Sequence, residues 1–119
     1  MYYRFTANPQ NETNDCIIRS TAKAEGKDWQ EVAKEFFEIA LEKYLMPNDY
    51  QVAAEYMNRR GYYEDYTDGK ITVEKFISEH PTGTYIAMLE DHAMCVVDGD
   101  LYDLVDCSKM PLVSYWQVA

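Results

Sequence analysis

The chain has 119 residues, 47% of them hydrophobic, so one domain over residues 1–119 can hold a single core and disorder is not expected. Its formal net charge is −10 and its 11 Lys and Arg residues are scattered, which argues against a nucleic-acid partner. The sequence has no run of about 18 apolar residues and no apolar signal segment at residues 1–5. We therefore expect a cytoplasmic protein without a membrane partner.

Periodic apolar residues and capping residues predict four helices in the first two thirds of the chain. The second helix has the clearest signal, because its apolar residues recur at helical spacing along most of its length. Residues 62–70 are acidic and rich in tyrosine, and we predict a loop there. The first predicted helix lies between its N-cap Asp15 and Gly26, and the second lies between Asp28 and Pro47. The third lies between its N-cap Asn48 and Gly61, and the fourth, Val73–Glu79, follows its N-cap Thr72.

Alternating apolar and β-branched residues predict strands in the last third of the chain. One further strand is expected at the N-terminus, so the predicted strands are residues 2–6, 84–89, 92–97, 101–105 and 113–118. The sequence Asp98-Gly99-Asp100 is typical of a hairpin turn. This order of elements indicates an α+β fold in which N-terminal helices pack on a C-terminal antiparallel β-sheet, with a cleft between the first helix and the sheet.

Cys16 follows a polar segment and lies where the first helix is predicted to begin. Unpaired backbone N–H groups and the helix dipole stabilise a thiolate at such a position, and the thiolate is the nucleophilic form of cysteine. Asp15 opposes thiolate formation unless its side chain points away as an N-cap. The alternative is that Cys16 is a small buried hydrophobic residue.

His92 lies at the start of a predicted apolar strand. If the hairpin turn has three residues, His92 lies opposite Asp106, whereas a turn of two residues brings Asp103 onto the face of His92 instead. A carboxylate in either position can hold one imidazole tautomer and leave the other ring nitrogen for a thiol. We prefer Asp106, at the end of the strand. A half-exposed histidine without a role is the alternative.

Gln10 lies six residues before Cys16 in the approach to the first helix. Its side-chain amide can donate to an oxyanion that forms at a substrate carbonyl, beside the backbone N–H of Cys16. Gln10 is therefore a candidate oxyanion donor, and an ordinary solvated loop glutamine is the alternative.

The three cysteines have no CxxC spacing, which disfavours a disulfide framework and a structural zinc site. Cys95 lies on the opposite face of its strand from His92 and is expected in the core. A metal site made of Cys16, His92, Asp106 and Cys107 is a minor alternative that requires folding to bring these residues together. No metal or organic cofactor is predicted.

The sequence resembles the papain-like cysteine peptidase superfamily in three features taken in order. These are Gln-x5-Cys at a helix start, a distal His-Ala at a strand start, and an acidic residue about 14 positions after that histidine. In outline it is most similar to small bacterial and phage members and to leader peptidases, in which Asp-Cys at the helix start is usual. The Cys-Gly-Ser-Cys-Trp sequence of papain itself is missing. The resemblance implies a papain-like fold for the chain.

The resemblance also implies roles for four residues: Cys16 as the nucleophile, His92 as the general base and acid, Asp106 as the orienting carboxylate and Gln10 as the oxyanion donor. The expected function is hydrolysis of peptide or isopeptide bonds in a peptide or protein substrate through an acyl-enzyme. The alternatives are a transferase or deamidase with the same triad and a non-catalytic phage or bacterial interaction protein on the same scaffold.

Overall fold

A six-stranded β-sheet with helices on both faces forms the centre of the protein. The computed structural model describes the backbone of residues 2–5 and all of residues 15–119. The expected α+β class is confirmed within this part of the chain. In chain order its elements are β1 (Tyr2–Phe5), α1 (Cys16–Glu25), α2 (Trp29–Lys43), α3 (Tyr50–Arg60), β2 (Glu64–Tyr66), α4 (Val73–Glu79), β3 (Thr84–Leu89), β4 (His92–Val97), β5 (Asp100–Asp103) and β6 (Ser114–Gln117).

The strands follow the spatial order β1-β5-β4-β3-β6-β2. Strands β2 to β6 pair antiparallel, and β1 adds to β5 as a parallel edge strand. The expected meander is present as β3, β4 and β5, and β6 returns to pair with β3 on the other side. Strand β4 is therefore central, and it carries His92 at its first residue.

Helices α1, α2 and α3 cover one face of the sheet, where they pack on Ile86, Ala93 and Trp116. Helix α4 covers the opposite face, where it packs on residues such as Ala87 and Met94. A strand with helices on both sides has no solvent-facing row, which explains why the middle of β4 is a continuous apolar run. None of the helices in residues 15–119 has the length and apolar character needed to cross a membrane.

The ends of the helices follow local sequence signals closely. Gly26 and Gly61 end α1 and α3 in the left-handed conformation, with φ of 66° and 77°, where glycine has no Cβ to clash. The Thr72 hydroxyl caps α4 by accepting from the Lys75 N–H. The prediction that Asn48 caps α3 is wrong, because the neighbouring Asp49 accepts from the backbone of the first turn.

The segment 62–70, predicted as a loop, contains the short strand β2. Its three residues are polar or aromatic and are largely exposed, so they show no apolar alternation that would indicate a strand. The strand exists because it pairs with β6, from Glu64 opposite Trp116 to Tyr66 opposite Ser114. Its formation therefore depends on a contact that is distant in sequence.

The hairpin between β4 and β5 has a two-residue turn. Val97 pairs with Asp100, and the two residues between them, Asp98 and Gly99, have φ of 47° and 84°. Positive φ at both central positions is the type I′ turn, whose twist suits a β-hairpin. The preferred expectation of a three-residue turn is therefore wrong.

This register decides which carboxylate lies on the face of His92. Counting outward from the turn brings Asp103 opposite Met94, two residues from His92 and on the same face. Asp106 does not lie opposite His92 as we expected. It follows the end of β5, is exposed to solvent, and accepts from the backbone N–H of Ser108 at 3.0 Å.

We expect Phe36→Ala to lower the free energy of unfolding by about 3–5 kcal/mol, because it leaves a cavity in the core. The Phe36 ring is fully buried, and its centroid lies 4.6 Å from that of Tyr56. The matched control is Phe37→Ala, which removes the same atoms from a side chain that is 50% exposed and should cost about 1 kcal/mol or less. Urea unfolding measures both, and equal losses would contradict the packing of α2.

Candidate active site

Cys16 and His92 meet at one end of the central strand, although they are far apart in sequence. Cys16 is the first residue of α1 and His92 is the first residue of β4, and α1 packs against β4. Buried Ile17 and Ile18 hold the first turn of the helix in the core beside this strand. Both side chains line one cavity of about 420 Å³, and the imidazole is close enough to lower the pKa of the thiol. The predicted pair is therefore brought together in the folded chain.

Asp103 holds the far side of the His92 ring. The Nε2 atom of His92 lies 2.5 Å from Oδ2 of Asp103, whose side chain is fully buried. With Nε2 bonded to the carboxylate, Nδ1 is the ring nitrogen that remains for the Cys16 thiol. Cys16, His92 and Asp103 thus lie in series, with the imidazole between the thiol and the carboxylate.

The surroundings of Cys16 favour its thiolate. Burial raises the pKa of the Cys16 thiol, but hydrogen bonds from His92 and from the backbone N–H of Ala93, together with the positive charges of His92 and Arg19, outweigh burial. The pKa of Cys16 consequently lies below its ordinary value. The hydrogen bond to Asp103 is the main reason that the pKa of His92 lies well above its ordinary value. Both shifts favour a thiolate–imidazolium pair.

The other two cysteines are in different surroundings. Burial raises the pKa of Cys95 to about 12, as expected for a thiol in the apolar core. Burial also raises the pKa of Cys107. Of the three free thiols, only Cys16 is activated, and it is also the least buried.

Arg19 connects the helix that carries Cys16 to the strand that carries Asp103. Its guanidinium donates to Asp15 at 2.7 Å and to Oδ1 of Asp103 at 3.3 Å, and only 5% of the residue is exposed. The indole N–H of Trp29 donates to the second oxygen of Asp15 at 3.0 Å. A buried cation therefore lies between two buried carboxylates directly behind the histidine.

The Arg19 contacts also show where the Asp15 carboxylate points, on which its effect on the Cys16 thiolate depends. Asp15 occupies the N-cap position of α1 but makes no side-chain cap hydrogen bond, because its carboxylate is directed to Arg19 and Trp29. Sequence reasoning did not select Arg19. Two signals could have identified it: Arg19 follows Asp15 by four residues, which is ion-pair spacing on a helix, and it interrupts an otherwise apolar or small buried face.

His92, Asp103 and Cys107 offer donor atoms that lie within 4.8 Å of one another. These are atom types that zinc accepts, but two ligands of one tetrahedral zinc, each at about 2.0–2.1 Å, are separated by about 3.3 Å. The His92 and Asp103 atoms are closer than that, at hydrogen-bond distance. The Cys107 thiol donates to Asp103 at 3.4 Å. The cluster therefore has the geometry of a hydrogen-bond network rather than that of a zinc ligand set.

Two of the sequence-predicted site residues are not part of this network. Asp106 is exposed and pairs with backbone beyond β5, so the metal set that included it is not assembled either. Gln10 lies outside the described residues. The backbone N–H of Cys16 lies in the first turn of α1, where a helix leaves its N–H groups without intrahelical partners. This N–H is a candidate oxyanion donor.

The chain matches no family model, no curated protein and no solved structure. A function for this chain is therefore inferred from the contacts among Cys16, His92 and Asp103 and from the cavity that they border.

We expect Arg19→Met to lower the free energy of unfolding by about 3–5 kcal/mol, because it removes the buried cation that Asp15 and Asp103 share. The matched control is Arg59→Met, which removes an arginine that also contacts two carboxylates, those of Glu42 and Glu55, at the exposed surface. Solvent screens such pairs, so a much smaller loss is expected there. Urea unfolding of both variants measures the difference. Equally small losses of stability in Arg19→Met and Arg59→Met would disprove the importance of the buried position of Arg19.

Proposed function

We propose that the protein is a papain-like cysteine peptidase that hydrolyses peptide or isopeptide bonds through a Cys16–His92–Asp103 triad. The observation that carries the proposal is the contact of one imidazole with both an activated thiol and a buried carboxylate at the edge of a cavity. Acyl transfer by a cysteine requires an activated nucleophile, a base beside it and a group that orients the base.

In this proposal Asp103 takes the role that the sequence resemblance would give to Asp106. Asp103 holds Nε2 of His92, fixes the orientation of the ring and stabilises the imidazolium. Arg19 and the Cys107 thiol in turn hold Asp103. The arrangement of the elements also supports a papain-like fold for this α+β chain. Cys16 begins a helix that packs on the sheet, and the sheet carries His92 and then Asp103.

The reaction begins when the Cys16 thiolate attacks the carbonyl carbon of the substrate, which forms a C–S bond and moves an electron pair onto the carbonyl oxygen. The backbone N–H of Cys16 donates to this oxyanion, and Gln10 is the second donor that the resemblance implies. When the tetrahedral intermediate collapses, the C–N bond breaks and the His92 imidazolium gives its proton to the leaving amine.

The second half of the reaction releases the acyl group. His92, now neutral, accepts a proton from water, and the resulting hydroxide attacks the thioester carbonyl. The C–S bond then breaks, the acyl group leaves as a carboxylic acid, and the sulfur leaves as the thiolate beside the His92 imidazolium, which restores the starting pair. A chain that reacts through thiolate needs reduced cysteines, and its three cysteines are free, which supports a cytoplasmic location.

We expect iodoacetamide near neutral pH to alkylate Cys16 at least about tenfold faster than Cys95 or Cys107, because only Cys16 has a lowered pKa and access to the cavity. His92→Ala should slow alkylation of Cys16 by about tenfold, since the imidazolium that stabilises the thiolate is lost. Peptide mapping by mass spectrometry gives the rate at each cysteine. Equal and slow rates at all three would instead support a non-catalytic interaction protein.

The pH dependence of the same reaction tests the thiolate–imidazolium pair. Because the pKa of Cys16 lies below its ordinary value, the alkylation rate should stay high well below that value and fall only when acid protonates the thiolate. In His92→Ala the fall should move to higher pH, towards the ordinary cysteine value. Rates measured between about pH 5 and pH 10 give both inflections, and coincident profiles would contradict the pairing.

The choice between the two carboxylates has a direct test. Asp103→Asn keeps the shape of the side chain but removes the negative charge behind His92, so we expect alkylation of Cys16 near neutral pH to slow by about threefold to tenfold. Asp106→Asn makes the same change at an exposed residue beyond β5 and should leave the rate unaltered. Circular dichroism checks that both variants fold. The reverse pattern would restore Asp106 as the third member of the triad.

Hydrolysis itself is tested with a library of peptides and isopeptides, with Cys16→Ala as the inactive control. Added amines distinguish hydrolase from transferase, because an amine that intercepts the acyl-enzyme appears in the product whereas a hydrolase releases the free acid. Alkylation of Cys16 at the expected rate without turnover of any peptide would leave an activated thiol but would overturn peptide hydrolysis.

A further inference from the structure

Beyond Cys16 and His92, the described lining of the cavity is mostly apolar and includes one acidic side chain. Helix α1 and the β3–β4 hairpin contribute most of its lining, and the segment that leads into α3 contributes two polar side chains. Its apolar lining residues are Ile17, Ala53, Met88, Leu89 and Ala93, its neutral polar residues beyond the catalytic pair are Asn48 and Tyr50, and its charged residue, among those that the structure describes, is Asp91.

Asp91 belongs to the two-residue turn that joins β3 to β4, directly before His92. It is exposed and adopts the left-handed conformation with φ of 60°, which Asp and Asn tolerate better than most residues. Among the described part of the chain, no Lys or Arg lies within ion-pair distance of its carboxylate. Within residues 15–119, the cavity therefore presents an anion that no lysine or arginine neutralises, in the same cavity as the candidate nucleophile.

An apolar channel with an acidic group suits a long side chain that carries a positive charge at its tip. Lysine and arginine lay their methylene groups along apolar surface and keep the charged head in a polar environment. Met88 and Leu89 offer that surface, and Asp91 offers the counter-charge in the same cavity. A carboxylate in the same place would meet Asp91 as a like charge, in a chain whose net charge is already −10.

We propose that the cavity beside Cys16 selects a substrate with a lysine or arginine side chain next to the scissile bond, and that Asp91 determines this preference. The inference rests on the proposed acyl-transfer function, and it adds the substrate class that the triad leaves open. Asp91 acts on binding and orientation of the substrate and takes no part in bond breaking.

The first experiment measures charge selection without requiring turnover. Two methanethiosulfonates of similar size, one with a trimethylammonium group and one with a sulfonate group, each transfer a thioalkyl group to the Cys16 thiolate and release methanesulfinate. Mass spectrometry locates the modified cysteine and gives the ratio of the two rates. We expect the cationic reagent to react faster, and we expect Asp91→Asn to lower the ratio about threefold to tenfold at low ionic strength.

Glu90→Gln is the matched control for that experiment. It removes one negative charge from the adjacent residue, which is also exposed but does not line the cavity, so the net charge changes equally in both variants. The expected rate ratio for Glu90→Gln is close to that of the unaltered protein. Equal ratios in Asp91→Asn and Glu90→Gln would overturn the inference, because they would trace selection to net charge alone.

The second experiment uses peptides that differ only in having lysine or glutamate next to the scissile bond. We expect a higher kcat/KM for the lysine peptide, and we expect Asp91→Asn to reduce that preference by about the same factor as the reagent ratio. Cleavage of both peptides with equal kcat/KM would overturn the charge preference and leave the peptidase proposal standing. Charge-selective labelling without cleavage would overturn the peptidase proposal and still support Asp91 as the selecting residue.

Discussion

The buried guanidinium of Arg19 is the interaction on which the arrangement of the site depends. It lies between Asp15 and Asp103, so it ties the start of α1 to the end of β5. A buried charge is costly unless it is paired and hydrogen-bonded, which means that neither carboxylate can move away from Arg19 without a large loss of stability. Cys16 follows Asp15 in the chain, and His92 is bonded to Asp103. The ion pair therefore sets the position of the thiol relative to the imidazole.

The same contacts have an electrostatic consequence for the thiol. Charges alternate through the site from Asp15 to Arg19, Asp103, His92 and Cys16, so each ionised group has an opposite charge beside it. Asp103 stabilises the imidazolium, the imidazolium stabilises the thiolate, and Arg19 adds a second positive charge. Asp15, which alone would oppose the thiolate, is paired with Arg19 and Trp29. The network explains why an aspartate directly before Cys16 is compatible with a lowered pKa of the Cys16 thiol.

Prediction from the sequence succeeded where one short segment contains the whole signal. Strands β3 and β4 and helix α4 have the predicted boundaries, because short apolar runs and a capping threonine are local features. Strand β2 was missed because its residues are exposed and its pairing with β6 is distant in sequence. The error in the predicted length of the β4–β5 turn was avoidable. Asp98-Gly99 is a strong signal for a two-residue type I′ turn, and reading it so would have selected Asp103 over Asp106.

The sequence by itself determined that a cysteine begins a helix and a histidine begins a strand, because helix and strand boundaries follow from neighbouring residues. It also limited the acidic partner of His92 to two candidates, one for each possible length of the β4–β5 turn. Only the tertiary structure showed that Asp103 contacts His92 and that Arg19 and Asp91 border the site. Arg19 and Asp103 are 84 residues apart, and no local pattern determines which distant side chains meet when a helix packs across a sheet.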